Sequence, residues 1–216
     1  MDLIKPFGPE IGLFQFTEEQ NKELLDVCIN NQDNLTSRIN NQLEGFIKKE
    51  FDIYNAIKDS TIEVLKKEVV DYINSTPSSY DVYKPFKLQE LNCTSAWCNI
   101  QEVYEFNPPH SHPLSDIVCV AFPKIQIDGK FPYDSNVKQI PGTLNLFYGN
   151  KVSKFGVQNY TITPQAGNVY IFPAELVHYT IPLWSESDVR ISVAVNFRIN
   201  DWFYRTRNLK EYIDPQ

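Results

Sequence analysis

The chain has 216 residues, of which 42% are hydrophobic and 22% are charged, and its formal net charge is −7. These proportions are those of an ordinary globular protein and exclude a disordered or fibrous one. The acidic balance, with no run of Lys or Arg, argues against a protein that binds nucleic acid or an anionic membrane.

The length predicts a single domain over 1–216, and three parts are expected within it. These are a mainly helical part (1–84), a β core (85–200) and a C-terminal tail (201–216). No segment reaches the roughly 18 apolar residues of a membrane span, and 1–12 lacks the basic-then-apolar order of a signal peptide. We therefore expect a cytoplasmic protein that works as a monomer or homodimer.

Two helices are predicted in the N-terminal part. Thr17 and Gln20 form the S/T-x-x-E/Q pattern that caps a helix start, which predicts a helix over 18–30. Over 54–74, apolar residues recur at the spacing of one helix face, which predicts a second and longer helix. Pro77 follows it and cannot continue the hydrogen-bond ladder.

The rest of the chain is rich in β-branched and aromatic residues, interrupted by Pro, Gly or Asp at strand-plus-turn intervals. Strands are predicted over 87–104, 117–122, 143–148, 159–163, 168–172, 178–182 and 189–197. Helices followed by strands indicate an α+β fold with helices packed on a β-sandwich or barrel. The connections at 131–141 and 149–156 are candidate substrate loops, and the aromatic residues 202–204 are expected to pack on the sheet rather than to form a dimer contact.

The three histidines of the chain are candidate metal ligands. His110 and His112 are separated by one residue, and His178 follows on a later predicted strand. In an extended segment residues i and i+2 point to the same side, so the pair is able to face one ion. Three imidazoles with open positions are typical of a catalytic metal site. The alternative is an exposed loop pair and a buried core histidine.

Arg190 is the candidate anion-binding residue. It shares one face of the last predicted strand with Ser192, so a guanidinium and a hydroxyl would meet the same partner. A carboxylate suits both, because a guanidinium binds it bidentately. A salt bridge with Asp188 or Glu186 is the purely structural alternative.

These residues give the sequence a resemblance to the 2-oxoglutarate/Fe(II) oxygenase superfamily, and more narrowly to a bacterial and phage group distantly akin to prolyl hydroxylases. The motifs are S-A-W-C-N-I at 95–100, N-P-P-H-S-H-P at 107–113, G-N-V-Y-I-F-P at 167–173, His178, and 190–197. The resemblance implies a double-stranded β-helix, or jelly roll, with the N-terminal helices packed on one sheet.

The resemblance also implies a ligand set. It assigns iron to His110, His112 and His178, and 2-oxoglutarate to Arg190 and Ser192, with O2 as a further cosubstrate and ascorbate as an optional reductant. Most relatives have Asp at the position of His112. Either His112 ligates in its place or Asp116 does, and the i+2 spacing favours His112. Accessory cosubstrate contacts are expected from Asn99, Tyr104 and Tyr170.

The implied activity is Fe(II)- and 2-oxoglutarate-dependent hydroxylation of a peptide or protein side chain, or of a small metabolite. Two other interpretations stay open. One is a three-histidine metal enzyme without 2-oxoglutarate, such as a cupin-type dioxygenase or a zinc hydrolase, and it does not predict the pairing of Arg190 with Ser192. The other is a jelly-roll module with a binding or structural role only.

Overall fold

The computed structural model describes residues 1–4, 8–34, 45–76, 86–127, 140–149 and 158–200. Most of the two candidate substrate loops, at 131–139 and 150–156, lies outside the described residues. The aromatic residues 202–204 and the tail at 201–216 lie outside them as well. Within the described part, neither helix is long and apolar enough to span a membrane.

Helix α1 (Glu18–Asn31) begins where the capping pattern predicts. The Thr17 hydroxyl accepts a hydrogen bond from the Gln20 backbone N–H at 3.2 Å, and the Gln20 side chain accepts one from the Thr17 N–H at 2.9 Å. This reciprocal pair satisfies two backbone donors that a helix start leaves without partners. Leu24 and Cys28, four residues apart, form the buried stripe of the helix.

Helix α2 (Asp59–Ser75) is the longer helix, but it does not begin at Tyr54 as predicted. The Tyr54 backbone N–H donates to the Asp52 carboxylate at 2.7 Å, and the Ile57 N–H donates to the Ile53 carbonyl at 2.9 Å. These bonds lie within residues 52–57 and form a separate turn that precedes the helix. Ile57 is nevertheless buried in the same core as α2, so the apolar periodicity extends beyond the helix itself.

Ten strands occur in the described part of the chain. They are β1 (Asp2–Ile4), β2 (Ile11–Gln15), β3 (Lys49–Asp52), β4 (Leu91–Gln101), β5 (Ile117–Gln126), β6 (Leu144–Phe147), β7 (Asn159–Ile162), β8 (Asn168–Pro173), β9 (Val177–Thr180) and β10 (Val189–Ile199). The last seven correspond to the predicted strands. The N-terminal part, expected to be mainly helical, also contributes β1, β2 and β3.

The strands form two antiparallel sheets. The larger has the order β1-β2-β8-β5-β10-β4-β3, and the smaller has the order β7-β6-β9. One hydrophobic core lies between the outer face of the large sheet and the two helices. A second core lies between the two sheets and includes Phe122, Leu146 and Phe172. This is the expected α+β jelly roll with helices packed on one sheet, and any functional group between the sheets lies on the inner face.

Candidate metal centre

The segment that carries His110 and His112 runs in an extended conformation beside β9. His110 and His178 exchange backbone hydrogen bonds of 3.0 and 2.9 Å, as an antiparallel strand pair does. The Thr180 N–H donates to the Asn107 carbonyl at 3.0 Å, and the Thr180 hydroxyl accepts from the Asn107 N–H at 2.8 Å. This pairing supplies the extended backbone on which the i+2 prediction depended.

The three histidines converge on one point. Their candidate ligand nitrogens all lie within 4.8 Å of one another, and no other group of three or more metal-binding side chains occurs among the described residues. The centroid of the His178 ring lies 4.3 Å from that of His110 and 5.0 Å from that of His112. His112 and His178 are buried, whereas His110 is partly exposed.

Each imidazole is held through Nδ1. The Nδ1 atom of His110 lies 2.7 Å from the Pro108 carbonyl oxygen, and that of His178 lies 2.8 Å from the Leu176 carbonyl oxygen. A carbonyl only accepts, so Nδ1 carries the proton in both rings. The Nδ1 atom of His112 lies 2.7 Å from the Asn196 side-chain oxygen, and the Asn196 amide nitrogen donates to Ser95. In its neutral form each ring therefore presents an unprotonated Nε2.

The surroundings of His112 and His178 keep these two rings uncharged at neutral pH. Burial lowers the pKa of His112 to about 4. Burial, followed by the neighbouring His110 and His112, lowers the pKa of His178 well below its usual value. Neutral imidazole is the form that binds a metal ion, because the Nε2 lone pair has to be free.

Asp116, the alternative to His112, is engaged elsewhere. Its carboxylate accepts a hydrogen bond of 2.7 Å from the Ile199 backbone N–H, and it is not part of the histidine cluster. Its backbone accepts from Ala174 and donates to Phe197. The residue thus anchors the chain between the site segment and β10, and His112 is the one that lies with His110 and His178.

Arg190 is the largest fully buried side chain in the described part, and none of the ion pairs there includes it. The guanidinium donates to the Gln101 side-chain oxygen at 2.7 Å and lies 5.0 Å from the centroid of the Phe122 ring. Its Nε has no hydrogen-bond partner. Burial lowers the pKa of Arg190 to about 9, which leaves it cationic at neutral pH. The purely structural alternative, a salt bridge of Arg190 with Asp188 or Glu186, is therefore not present in the described part of the chain.

The other predicted cosubstrate residues divide into two groups. Ser192 and Asn99 are buried and are opposite each other in the register of β10 and β4. This pair lies two residues along the strands from the pair of Arg190 and Gln101. Tyr170 packs edge-on against Phe122, the ring beneath Arg190. Tyr104 differs from these: its side chain is 65% exposed, and its ring contacts Trp184. The structure thus brings Ser192, Asn99 and Tyr170 towards Arg190, but not Tyr104.

A cavity of about 940 Å³ adjoins the histidines. Its lining includes His110, His112, Trp97, Asn196 and Glu50, but neither His178 nor Arg190. Among the described residues, the cavity therefore reaches the cluster at His110 and His112, and Arg190 is not part of its lining.

Asn196 and Gln101 were not predicted as site residues. Asn196 lies on the same strand as Arg190 and Ser192, an even number of residues away, so strand alternation alone would have placed it on the inner face. Gln101 is the register partner of Arg190 on β4. That pairing joins residues 89 positions apart, and only the folded sheet shows it.

The model of a family described as "Putative 2OG-Fe(II) oxygenase" matches residues 95–196, which contain the three histidines, Arg190 and Ser192. The resemblance to the 2-oxoglutarate/Fe(II) oxygenases is confirmed. The family match and the fold together support an oxidoreductase that uses Fe(II), 2-oxoglutarate and O2.

Solved 2-oxoglutarate/Fe(II) oxygenases share the fold. A prolyl-4-hydroxylase of Pseudomonas putida is 14% identical with a TM-score of 0.58, over 88% of this chain and 92% of that one. A collagen prolyl hydroxylase of Paramecium bursaria Chlorella virus-1, solved with 2-oxoglutarate, is 11% identical with a TM-score of 0.55, over 88% and 96%. The epimerase SnoN of nogalamycin biosynthesis is 11% identical with a TM-score of 0.57, over 88% and 77%. None of the curated proteins compared matches the chain.

The residues present fit the iron of these oxygenases. Imidazole nitrogens suit Fe(II) among several divalent metals, and the three histidines bring their candidate ligand nitrogens within 4.8 Å of one another. The Nε2 of His112 is buried and has no hydrogen-bond partner. A buried nitrogen of this kind costs free energy unless something binds it, and a metal ion would remove that cost. Three neutral ligands in place of two and a carboxylate leave the site one unit more positive.

Proposed function

We propose that this chain is an Fe(II)- and 2-oxoglutarate-dependent hydroxylase that acts on a peptide or protein side chain or on a small metabolite. The observation that carries the proposal is a pairing on the inner face of the jelly roll. Three imidazoles bring their candidate ligand nitrogens to one point, and a fully buried guanidinium has no acidic partner among the described residues.

In this proposal His110, His112 and His178 hold the iron. Each ring is kept in the tautomer with the proton on Nδ1 by one hydrogen bond. The acceptors are the backbone oxygens of Pro108 and Leu176 and the side chain of Asn196. Such outer contacts set both the direction and the basicity of a ligating imidazole. When bound, the iron with 2-oxoglutarate and O2 supplies the oxidation, yielding succinate, CO2 and the oxidised substrate.

Arg190 binds the distal carboxylate of 2-oxoglutarate, and Ser192 adds a hydrogen bond to it. A buried cation is costly unless a counter-charge pairs with it, and a dicarboxylic acid brings that charge. The Gln101 contact fixes one arm of the guanidinium while Nε stays available. Phe122 beneath the guanidinium and Tyr170 against Phe122 keep the region free of water. Asn99 completes this set opposite Ser192.

Hydroxylation is the favoured reaction because two of the neighbours of known structure are named as prolyl hydroxylases. Another is named as an epimerase, so product analysis has to decide the reaction type. A three-histidine enzyme without 2-oxoglutarate gives no reason for a buried Arg190, and neither does a structural jelly-roll module. The guanidinium is therefore the residue to test.

Purified protein supplied with Fe(II), ascorbate and 2-oxoglutarate should form succinate, and calorimetry should detect 2-oxoglutarate binding. Arg190→Ala should weaken that binding at least about a hundredfold, because removing one member of a buried charge pair costs about 3–5 kcal/mol. Arg190→Lys should bind 2-oxoglutarate with an affinity between those of the unaltered protein and Arg190→Ala. It keeps the positive charge but loses the planar guanidinium that binds a carboxylate bidentately.

Arg198→Ala is the matched control, because Arg198 lies on the same strand but is exposed. It should bind 2-oxoglutarate as the unaltered protein does. If Arg190→Ala also binds 2-oxoglutarate normally, or if the unaltered protein binds none and forms no succinate, the proposed function is wrong.

A further inference from the structure

Glu50 is a buried acid on β3 and is 0% exposed. Within the described part of the chain, neither of its carboxylate oxygens has a hydrogen-bond partner. A buried charge is normally paired, and an unpaired one is retained mainly where a function requires it. The metal and cosubstrate roles proposed above do not involve this residue.

Glu50 faces the cavity that leads to the histidines. It lines that cavity together with Asp52, which follows it on the same side of β3, and with His110 and His112. Asn107 is part of the same wall. The acid therefore lies on the route by which a primary substrate would reach the metal centre, in a lining that does not include Arg190.

Gly45 packs directly against the side chains of Glu50 and Asn107. A Cβ atom on Gly45 would lie 2.8 Å from Oε1 of Glu50 and 2.1 Å from Oδ1 of Asn107, and both distances are too short for a carbon atom. The two side-chain oxygens therefore already occupy the position that a side chain at 45 would take, and only glycine leaves them there. This part of the cavity lining thus consists of acceptor oxygens.

The charges around Glu50 are mostly negative. Glu105 is close enough to raise the pKa of Glu50, which burial and this neighbour bring to about 7. Glu105 is itself engaged by the backbone N–H groups of Lys48 and Glu102 and lies 3.8 Å from the Lys48 ammonium. Asp52 adds a further carboxylate to the cavity. What Glu50 itself lacks, among the described residues, is a hydrogen-bond donor for its two oxygens.

We propose that the Glu50 carboxylate binds a cationic nitrogen, an ammonium or guanidinium group, on the primary substrate. The group would approach from the cavity that Glu50 lines and satisfy both carboxylate oxygens, a guanidinium doing so bidentately. The inference rests on the proposed function, because it names the substrate class of that same site. Glu50 is then a specificity-determining residue.

The test uses four probes of similar length: butylguanidinium, butylammonium, 1-butanol and butanoate. Binding to the full chain, loaded with Zn²⁺ and 2-oxoglutarate, is measured by saturation-transfer NMR. The two cations should bind at least about tenfold more tightly than the alcohol, because a hydrogen bond to a charged group contributes about 1.5–3 kcal/mol. Butanoate should bind most weakly.

Glu50→Gln should reduce cation binding to the level of the alcohol, and Gly45→Ala should reduce it without any change of charge. Glu63→Gln, on the exposed surface of α2, should not affect it. Equal binding of all four probes, or undiminished cation binding in Glu50→Gln, would overturn the inference. Calorimetry of 2-oxoglutarate on the same samples separates the two claims: normal cosubstrate binding with no cation preference leaves the proposed function standing alone.

Discussion

Asn196 links the last strand to the candidate metal centre through a single hydrogen bond. Its side-chain oxygen lies 2.7 Å from Nδ1 of His112, and its amide nitrogen donates to the Ser95 hydroxyl at 3.1 Å. The second contact orients the amide, and the first then places the proton of His112 on Nδ1. The nitrogen that His112 offers to a metal ion is thus determined by a residue outside the histidine cluster.

Asn196→Ala should weaken metal binding by about 10–100-fold, the usual effect of losing an outer partner of a ligating histidine. Titration calorimetry with Mn²⁺ measures it. Ser95→Ala removes only the contact behind Asn196 and should have a smaller effect. Unchanged Mn²⁺ affinity in Asn196→Ala would show that the tautomer of His112 does not depend on this residue.

Glu50 gives a pH-dependent prediction. Its pKa in the folded protein is about 7, above the ordinary 4.5, so the folded state favours the protonated acid. The unfolded chain loses that proton first as the pH rises, and stability is therefore lost between about pH 4.5 and 7. The full effect above pH 7 is about 3 kcal/mol.

Urea unfolding of the protein and of Glu50→Gln at pH 5 and pH 8 tests this. From pH 5 to pH 8 the free energy of unfolding of Glu50→Gln should rise by about 3 kcal/mol relative to that of the unaltered protein, because the amide does not ionise. Groups common to both proteins cancel in the difference. An equal stability difference at pH 5 and pH 8 would mean that the Glu50 carboxyl titrates normally.

For individual residues, the sequence predicts those that are of rare type or that recur at a regular spacing. Histidine occurs three times in the chain, and all three occurrences lie in one cluster. Arg190 and Ser192 follow from strand alternation. Glu50 does not stand out, because acidic residues are common in the chain and its burial depends on the neighbours that the fold brings to it.

The element that positions the site is the extended segment 107–112 rather than a named strand. It pairs with β9 through the reciprocal bonds of His110 and His178, and the His112 N–H donates to the Ala174 carbonyl at 2.8 Å. Two ligands on this segment and one on β9 therefore approach each other as cross-strand neighbours do. The rigidity of the centre depends on that pairing.

Thr180 at the end of β9 tests the pairing. Thr180→Val keeps the shape and removes the hydroxyl that accepts from the buried Asn107 N–H. Leaving a buried donor without its partner costs about 1–3 kcal/mol. We expect urea unfolding to show that loss, and Mn²⁺ affinity to fall because the segment that carries His110 and His112 is less well held.

Thr180→Ser is the control for that variant, since it retains the hydroxyl, and it should remain close to the unaltered protein in Mn²⁺ affinity. A normal affinity for Mn²⁺ in Thr180→Val would contradict a role for this contact in positioning the ligands.

The elements divide by the range of their contacts. Helix α1 and the later strands follow from local patterns, because capping and alternation are read within a few residues. The strands β1, β2 and β3 do not, since they are short and the strands that join β2 and β3 to the sheet are distant in sequence: Gly12 is opposite Ile171, and Glu50 is opposite Asn99. Their place in the sheet depends on pairing that no local window contains.

For the whole molecule, the two faces of the large sheet differ in role: the outer face contributes to stability and the inner face carries the site. The outer face of the large sheet and the helices form a core whose burial supplies stability, at about 1.5–3 kcal/mol for each large apolar side chain. The inner face carries the polar residues of β4 and β10, which pair across the strands from Arg190 with Gln101 to Asn196 with Ser95. The site is thus built on paired strands at the centre of the fold.

The inner face carries charges of both signs. Arg190 is a buried cation, which a dicarboxylic acid would neutralise in the proposed function. Glu50 and Asp52 bring acids to the cavity that adjoins the histidines. The two proposals thus assign the carboxylate of the cosubstrate and the cationic group of the primary substrate to different residues.

The central claim is that three imidazoles and Arg190 serve one iron and one 2-oxoglutarate. A crystal structure of the protein grown without oxygen in the presence of Fe(II) and 2-oxoglutarate, with anomalous data at the iron edge, tests it most directly. We predict one iron peak bounded by Nε2 of His110, His112 and His178, with the distal carboxylate of 2-oxoglutarate on Arg190. An iron peak away from those nitrogens, or 2-oxoglutarate bound without contact to Arg190, would contradict it.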